Sequence, residues 1–269
     1  MRIALVQIAS PDEETAAHRL DRASRLLAEV PGDVDLIALP ELWKVGFGHF
    51  DRYAECAESM HGPTVQTLAK IAADRGVLLH AGSIVRRNAD ELFNTSLLLD
   101  RTGQIIHHYD KVHLFGCRSA EPEILTHGRQ VHATDTEFGR FAAATCYDLR
   151  FPPLWERFGE AGAELMVVPA AWPARRLEHW RLLTSARAVD NQMFVIAVNA
   201  VGTHAGVTFG GHSRIVDPWG EVIAEAGAEE GITVAEIDPS VVAETRTEFP
   251  VLRDRRTDYD SLTPKKVPA

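Results

Sequence analysis

The stretch FAAATCYDLRFPPL, residues 141–154, sets the fold class of this chain. Its first five residues are small or apolar and are typical of a buried strand, and Pro152-Pro153-Leu154 favours the first turn of a helix. Cys146 therefore lies on a sharp turn from strand to helix, where neighbouring backbone N–H groups can bind an oxyanion. The alternative for this cysteine is an inert residue that fills core space.

Strand and helix patterns alternate on both sides of this stretch, which predicts a layered α/β fold. The predicted strands are Arg2–Ile8, Leu36–Leu39, Val77–Val85, Thr95–Leu99, Ile105–Tyr109, Arg140–Thr145, Leu165–Val168, Phe194–Val198, Ile215–Asp217 and Val222–Glu225. Predicted helices follow Pro63, span Leu154–Ala161 and Glu178–Asn191, and start near Asp238-Pro239, and a first helix begins at Ser10 as N-cap with Glu13 completing a capping box. Hairpin-like strand pairs make the sheets mixed.

Length and charge limit the function classes. The 269 residues show no internal repeat or linker, so we expect one domain, with a peripheral tail over about 253–269. A net charge of −10 argues against nucleic-acid and anionic-membrane partners. Three widely spaced cysteines fit a reducing compartment, and neither a signal peptide nor a membrane-spanning run is evident, so we expect a cytoplasmic protein.

Three residues with reactive side chains each follow closely on a predicted strand: Glu41, Lys111 and Cys146. In layered α/β folds, sites are assembled at the carboxyl ends of strands, so we expect these three to meet. A carboxylate beside a thiol could act as a general base, and a lysine could stabilise a thiolate or an oxyanion. Taken singly, a glutamate such as Glu41 is usually a solvated loop carboxylate, and a lysine such as Lys111 is most often a surface group.

The segments around these residues resemble the three signature segments of the nitrilase superfamily of carbon–nitrogen hydrolases. They are Leu39-Pro40-Glu41, YDKVHLF at 109–115 and CYDLRFP at 146–152, and two further segments agree: HW at 179–180 with ARAVDNQ at 186–192, and GHS at 211–213 with VDPWG at 216–220. The resemblance runs in order from Arg2 to about Tyr259. Each motif alone is weak, whereas the ordered set is specific.

The resemblance implies a four-layer α-β-β-α sandwich with two mixed sheets and a homodimer or larger homo-oligomer. It also implies Glu41 as general base, Lys111 as electrostatic stabiliser and Cys146 as nucleophile, without metal or cofactor. Glu121 matches the family's assisting glutamate better than Glu123 does. The backbone N–H after the nucleophile, that of Tyr147, is then expected to bind the oxyanion.

Within the superfamily the chain is most similar to ω-amidases, which hydrolyse the side-chain amide of α-keto acids such as 2-oxoglutaramate. Residues 249–253 and 82–84 support this branch, whereas Trp172-Pro173 replaces the Phe and polar residue usual there, and Pro153 replaces a frequent Glu. Arg150 is expected either to bind a substrate carboxylate or to form a structural ion pair. Trp172 is expected to line the substrate pocket, with core packing as its alternative.

The remaining alternatives are an aliphatic amidase, an N-carbamoyl amide hydrolase, a true nitrilase, or a catalytically silent relative that serves as a binding protein.

Overall fold

The computed structural model describes residues 1–256 and 258. The strands in this part of the chain are β1 (Arg2–Gln7), β2 (Leu36–Ala38), β3 (Leu78–Asn88), β4 (Glu91–Leu99), β5 (Ile105–Asp110), β6 (Thr134–Thr136), β7 (Gly139–Ala143), β8 (Leu165–Ala170), β9 (Phe194–Asn199), β10 (Val201–His204), β11 (Val207–Gly210), β12 (Arg214–Val216), β13 (Val222–Glu225) and β14 (Gly231–Glu236). The α-helices are α1 (Ala16–Ala28), α2 (Tyr53–Cys56), α3 (Pro63–Arg75), α4 (Glu121–Ile124), α5 (Pro152–Glu160), α6 (Leu177–Asn191) and α7 (Val241–Glu248). Short 3₁₀ turns occupy Phe50–Arg52, Cys146–Arg150, Ala174–Arg176 and Val251–Arg253.

Two six-stranded sheets share one pattern of strand directions. Their strand orders are β14-β1-β2-β3-β4-β5 and β13-β12-β9-β8-β7-β6. In each sheet three adjacent strands run parallel, β1-β2-β3 in the first and β7-β8-β9 in the second. The other neighbours are antiparallel. The prediction of mixed sheets is therefore confirmed.

The alternation of side chains along the strands separates the layers. Ile3 and Leu5 of β1 point into the core between the two sheets, while Ala4 and Val6 pack on the opposite face against α1 and α3. On the outer face of the second sheet, α5 contributes Trp155 to the core beside α6. The layers thus follow the order helices, sheet, sheet, helices, and the predicted sandwich is confirmed.

The first helix begins later than the sequence indicates. Thr15 is its N-cap and accepts a hydrogen bond from the His18 N–H at 3.2 Å. Ser10 is buried instead, and its hydroxyl donates to the Trp43 carbonyl at 2.7 Å. The prediction of Ser10 as N-cap is wrong, because residues 11–14 form a turn instead of the first turn of a helix, and the Ser10 side chain makes a tertiary contact.

Sequence patterns also missed the β10–β11 hairpin and the edge strand β14. The two hairpin strands have four residues each, and the six residues of β14 are partly or fully exposed, so these strands lack the buried apolar run by which the other strands are recognised. The predicted peripheral tail, 253–269, lies outside the described residues apart from 253–256 and 258. Through the part of the chain that the structure describes, every helix is too short or too polar to cross a membrane.

Candidate active site

Three strand ends bring Glu41, Lys111 and Cys146 together. Glu41 lies just beyond β2, Lys111 directly follows β5, and Cys146 opens the turn after β7. The Lys111 ammonium donates to Oε1 of Glu41 at 2.8 Å, and both side chains are fully buried. Cys146 is 8% exposed and lies within electrostatic range of both charges. Residues far apart in sequence therefore share one site, as their positions at strand ends predict.

A second carboxylate, that of Glu121, completes the surroundings of Lys111. The Lys111 ammonium donates to both oxygens of Glu121, at 2.9 and 3.0 Å, and the Phe115 N–H donates to Oε2 at 2.6 Å. Glu121 is fully buried, whereas Glu123 is exposed on the same helix. The geometry therefore selects Glu121 rather than Glu123 as the glutamate associated with the site.

Asn94 of β4 joins the two carboxylates and was missed by the sequence analysis. Its side-chain amide donates to Oε1 of Glu41 at 2.8 Å and to Oε1 of Glu121 at 3.2 Å. The signal available in the sequence was the polar run Asn94-Thr95-Ser96 between apolar residues, because polar groups buried in a sheet need partners.

The turn that carries Cys146 is strained and tightly held. Cys146 has a φ of 47°, a left-handed conformation that is uncommon for a non-glycine residue. Asp148, which is fully buried, accepts hydrogen bonds from the Thr145 N–H, the Tyr109 hydroxyl and the His113 N–H at 2.8–3.0 Å. One carboxylate thus ties the nucleophile turn to the segment that contains Lys111.

Burial and charge set the protonation of the site at rest. Burial, followed by the negative charge of Glu41, raises the pKa of the Cys146 thiol well above its ordinary value, although Lys111 opposes the shift. Burial acts to lower the pKa of Lys111, but Glu121 and Glu41 outweigh it and raise that pKa. The resting site therefore holds a neutral thiol beside a charged ammonium, and attack by the sulfur requires a base.

A cavity of about 180 Å³ opens above Cys146. Arg150 and Trp172 both line it, so the structure places both sequence-predicted binding residues in the same cavity as Cys146. The Arg150 guanidinium lies 4.8 Å from the centre of the Trp172 ring and contacts Nδ1 of His179 at 3.2 Å. Aromatic side chains from five segments line the cavity, among them Phe47, Phe115 and Phe209.

The loop after β8 connects this cavity to Glu41. The Ala171 N–H donates to Oε2 of Glu41 at 2.9 Å. The next amide, that of Trp172, donates to Oδ1 of Asn199 at 2.6 Å. Backbone contacts of this kind carry no residue-type signal, so sequence motifs alone do not reveal them.

These features define a class, the α/β-sandwich hydrolases with a buried Glu-Lys-Cys site. Residues 2–247 match the carbon-nitrogen hydrolase family, and the chain belongs to that family. It is a carbon–nitrogen hydrolase of the nitrilase superfamily, and cysteine-dependent amide hydrolysis is its chemistry.

Characterised relatives match over almost the whole chain. A 2-oxoglutaramate amidase of Paenarthrobacter nicotinovorans is 37% identical over 273 residues, which cover 98% of this chain and 92% of the relative. An omega-amidase of Xenopus tropicalis is 35% identical, with 98% of each chain covered. The predicted similarity to ω-amidases is confirmed.

Solved structures agree in fold. A carbon–nitrogen hydrolase superfamily protein of Xanthomonas campestris, which has an arsenic adduct in its active site, superposes with a TM-score of 0.87 and 32% identity, covering 96% of this chain and 97% of that protein. A variant of the amidase from Nesterenkonia sp. AN1 superposes with a TM-score of 0.81 and 26% identity, covering 94% of this chain and 99% of the amidase. That variant shows Michael addition of acrylamide at its active-site cysteine.

Proposed function

We propose that the protein hydrolyses a small ω-amide that carries a carboxylate at its far end, such as 2-oxoglutaramate, with Cys146 as nucleophile and Glu41 as general base. The observation that carries the proposal is the buried Glu41 carboxylate, hydrogen-bonded to Lys111, beside Cys146 at the floor of the cavity, where burial raises the pKa of the thiol. A neutral thiol attacks a carbonyl poorly, and an adjacent carboxylate supplies the base that it needs.

During acylation Glu41 first accepts a proton and then donates it. Sγ of Cys146 bonds to the amide carbon while Glu41 takes the thiol proton, which gives a tetrahedral oxyanion. The oxyanion collapses, the carbon–nitrogen bond breaks, and ammonia leaves with the proton from Glu41. A thioester on Cys146 remains.

Deacylation repeats these steps with water. Glu41 takes a proton from a water molecule while the water oxygen bonds to the thioester carbon. The carbon–sulfur bond then breaks. The proton on Glu41 returns to the sulfur of Cys146. The net reaction is amide plus water to carboxylic acid plus ammonia.

The oxyanion is stabilised by the Tyr147 N–H and the charge of Lys111. Tyr147 lies in the first turn of the 3₁₀ helix Cys146–Arg150, where amide groups have no carbonyl partner within the helix. The hydrogens of Lys111 already bond to Glu41 and Glu121, so Lys111 acts through its charge unless a bond to Glu121 is released. The hydrogen bonds of Glu121 and Asn94 fix the positions of the Lys111 ammonium and the Glu41 carboxylate relative to each other.

The substrate assignment is supported by Arg150 and by the relatives. No carboxylate lies within ion-pairing distance of Arg150 among residues 1–256 and 258, which speaks against the structural ion pair. A guanidinium that lines the cavity with no carboxylate partner suits an anionic substrate. The 2-oxoglutaramate amidase of P. nicotinovorans, as its name states, acts on an amide of this kind.

Ammonia release from a panel of compounds tests the function. The panel contains 2-oxoglutaramate, an aliphatic amide, a ureido acid and a nitrile, so that each alternative hydrolase has its own substrate. Cys146→Ala should abolish release, and Cys117→Ala, which alters an exposed cysteine at the rim of the same cavity, should not. Activity in Cys146→Ala with a native circular dichroism spectrum would exclude Cys146 as the nucleophile.

A homodimer through α6 is part of the proposal. Leu182 and Val189, one heptad apart on the same face of α6, are 67% and 45% exposed. Trp219 and Phe249 stack beside them and are 46% and 54% exposed, which extends the apolar patch. Such patches mark interfaces, so Leu182→Asp should shift the mass measured by light scattering towards the monomer. An unchanged mass would exclude this face.

We also propose that the whole chain is one domain and that the protein is cytoplasmic. All three cysteines are free in the structure, as expected in a reducing compartment.

A further inference from the structure

The cavity above Cys146 is lined by positive charge. Among the residues that the structure describes, the lining contains no Asp or Glu and four arginines, which are Arg118, Arg150, Arg175 and Arg176. Within the described part of the chain, none of the four has a carboxylate within ion-pairing distance. Unpaired cations around a small cavity attract an anion.

Arg176 is held at this cavity by its backbone. Its N–H donates to the Pro173 carbonyl at 2.9 Å, and its carbonyl accepts from the Trp172 indole N–H at 2.8 Å. Its guanidinium lies 5.4 Å from the centre of the Phe115 ring, and its N–H groups form no hydrogen bond or ion pair with the residues that the structure describes. The half-buried side chain is thus placed without consuming its hydrogen-bonding capacity.

Trp172 connects Arg176 to Arg150. The Trp172 ring lies under the Arg150 guanidinium, while its indole N–H fixes the turn that carries Arg176. A phenylalanine, usual at this position in ω-amidases, has no N–H to make the second contact. Trp172 and Pro173 therefore both form hydrogen bonds that hold the backbone of Arg176 beside the cavity.

Electrostatics agree with this arrangement. Burial, followed by the charges of Arg175 and Arg150, lowers the pKa of Arg176, and Cys146 is near enough to oppose the shift. Arg150 and Arg176 are therefore close enough to repel each other and both lie near the nucleophile. An anion between them would relieve that repulsion.

We infer that Arg176 acts with Arg150 as a two-guanidinium site for the substrate carboxylate. The inference rests on the amidase function proposed above and adds a specificity-determining residue to it. The ligand class is a short ω-amide of a dicarboxylic acid; a 2-oxo group beside the carboxylate supplies a further acceptor for the ten donors of two guanidinium groups.

Paired substrates test the inference. Succinamate and butanamide have the same chain length, but the end opposite the amide is a carboxylate in succinamate and a methyl group in butanamide. Loss of a charge-assisted hydrogen bond corresponds to about 10- to 150-fold. Arg176→Met should lower kcat/KM for succinamate by that factor and leave butanamide nearly unchanged. Arg176→Lys should fall between, because lysine keeps the charge but lacks the bidentate fork.

Arg25→Met is the matched control, because it removes the same charge from an exposed position on α1. It should leave both substrates unaffected. Arg150→Met combined with Arg176→Met should cost less than the product of the single losses, because both arginines bind one carboxylate. Equal losses on both amides in Arg176→Met, or no loss in Arg176→Met alongside a loss in Arg150→Met, would overturn the inference.

A binding measurement separates this inference from the proposed function. Succinate titrated calorimetrically into the wild type and Arg176→Met measures the anion site without turnover, and the variant should bind about 10- to 150-fold more weakly. Equal affinities would overturn the inference even if amide hydrolysis is intact. Weakened binding of succinate to Arg176→Met, with no hydrolysis of ω-amides by the wild type, would support the anion site and refute the proposed substrate.

Discussion

Replacing Glu121 by Gln tests whether a second carboxylate is needed to hold Lys111. All four contacts of the Glu121 oxygens come from donors: two from Lys111, one from Asn94 and one from the Phe115 N–H. A glutamine has one acceptor oxygen, so its NH₂ group must face two of these donors. One contact to the Lys111 ammonium is lost in either orientation of the amide.

The expected cost follows from that count. One charge-assisted hydrogen bond contributes about 1.5–3 kcal/mol, which corresponds to about 10- to 150-fold in rate if it serves to position Lys111 in the transition state. Glu121→Gln should therefore lower kcat by that factor, with a smaller effect on KM. Ammonia release under substrate saturation gives kcat, and circular dichroism confirms that the variant is folded.

Glu123→Gln is the control, because Glu123 lies on the same short helix but is exposed. It should retain the wild-type rate. If Glu121→Gln were as active as Glu123→Gln, the carboxylate of Glu121 would have no part in catalysis, and Glu41 alone would suffice to place Lys111. A raised KM with unchanged kcat would equally refute the reasoning, because it would make Glu121 a ground-state binder.

Three further predictions concern the charges of the buried residues and the nucleophile. Lys111→Ala should lower kcat by about 10²–10³-fold, because the oxyanion loses a nearby positive charge. The variant should also lower the free energy of unfolding by about 3–5 kcal/mol, because Glu41 and Glu121 lose their shared cation. An effect on KM alone would contradict the stabilisation of the oxyanion by Lys111. Burial lowers the pKa of His80 from 6.5 to about 3. Between these pH values the imidazole is protonated in the unfolded chain but not in the folded one, so the stability of the fold decreases as the pH falls. The loss is about 1.4 kcal/mol per pH unit below 6.5, and urea melts of His80→Leu should show a shallower pH dependence than the wild type. Dialysis against EDTA should leave the rate unchanged, because the nucleophile is a thiol; loss that Zn²⁺ restores would contradict this.

The sequence by itself determined the layered α/β class and the residues at the strand ends. Apolar runs such as β1 and β8 are buried on both faces, so their pattern survives in any context. Glu41, Lys111 and Cys146 lie within three residues of the ends of β2, β5 and β7, and their chemistry is evident from their residue types. Both signals are local in the chain, which is why they can be read without coordinates.

Tertiary structure alone decided how that chemistry is held and what it faces. Asn94 bridges two carboxylates from other segments, and Asp148 joins the nucleophile turn to the loop of Lys111. The resemblance to the nitrilase superfamily favours Glu121 over Glu123, and three-dimensional burial supplies the physical reason for that choice. The unpaired state of Arg176 depends on the absence of a carboxylate near it among the described residues. These properties arise from contacts between distant segments, and no local sequence pattern encodes them.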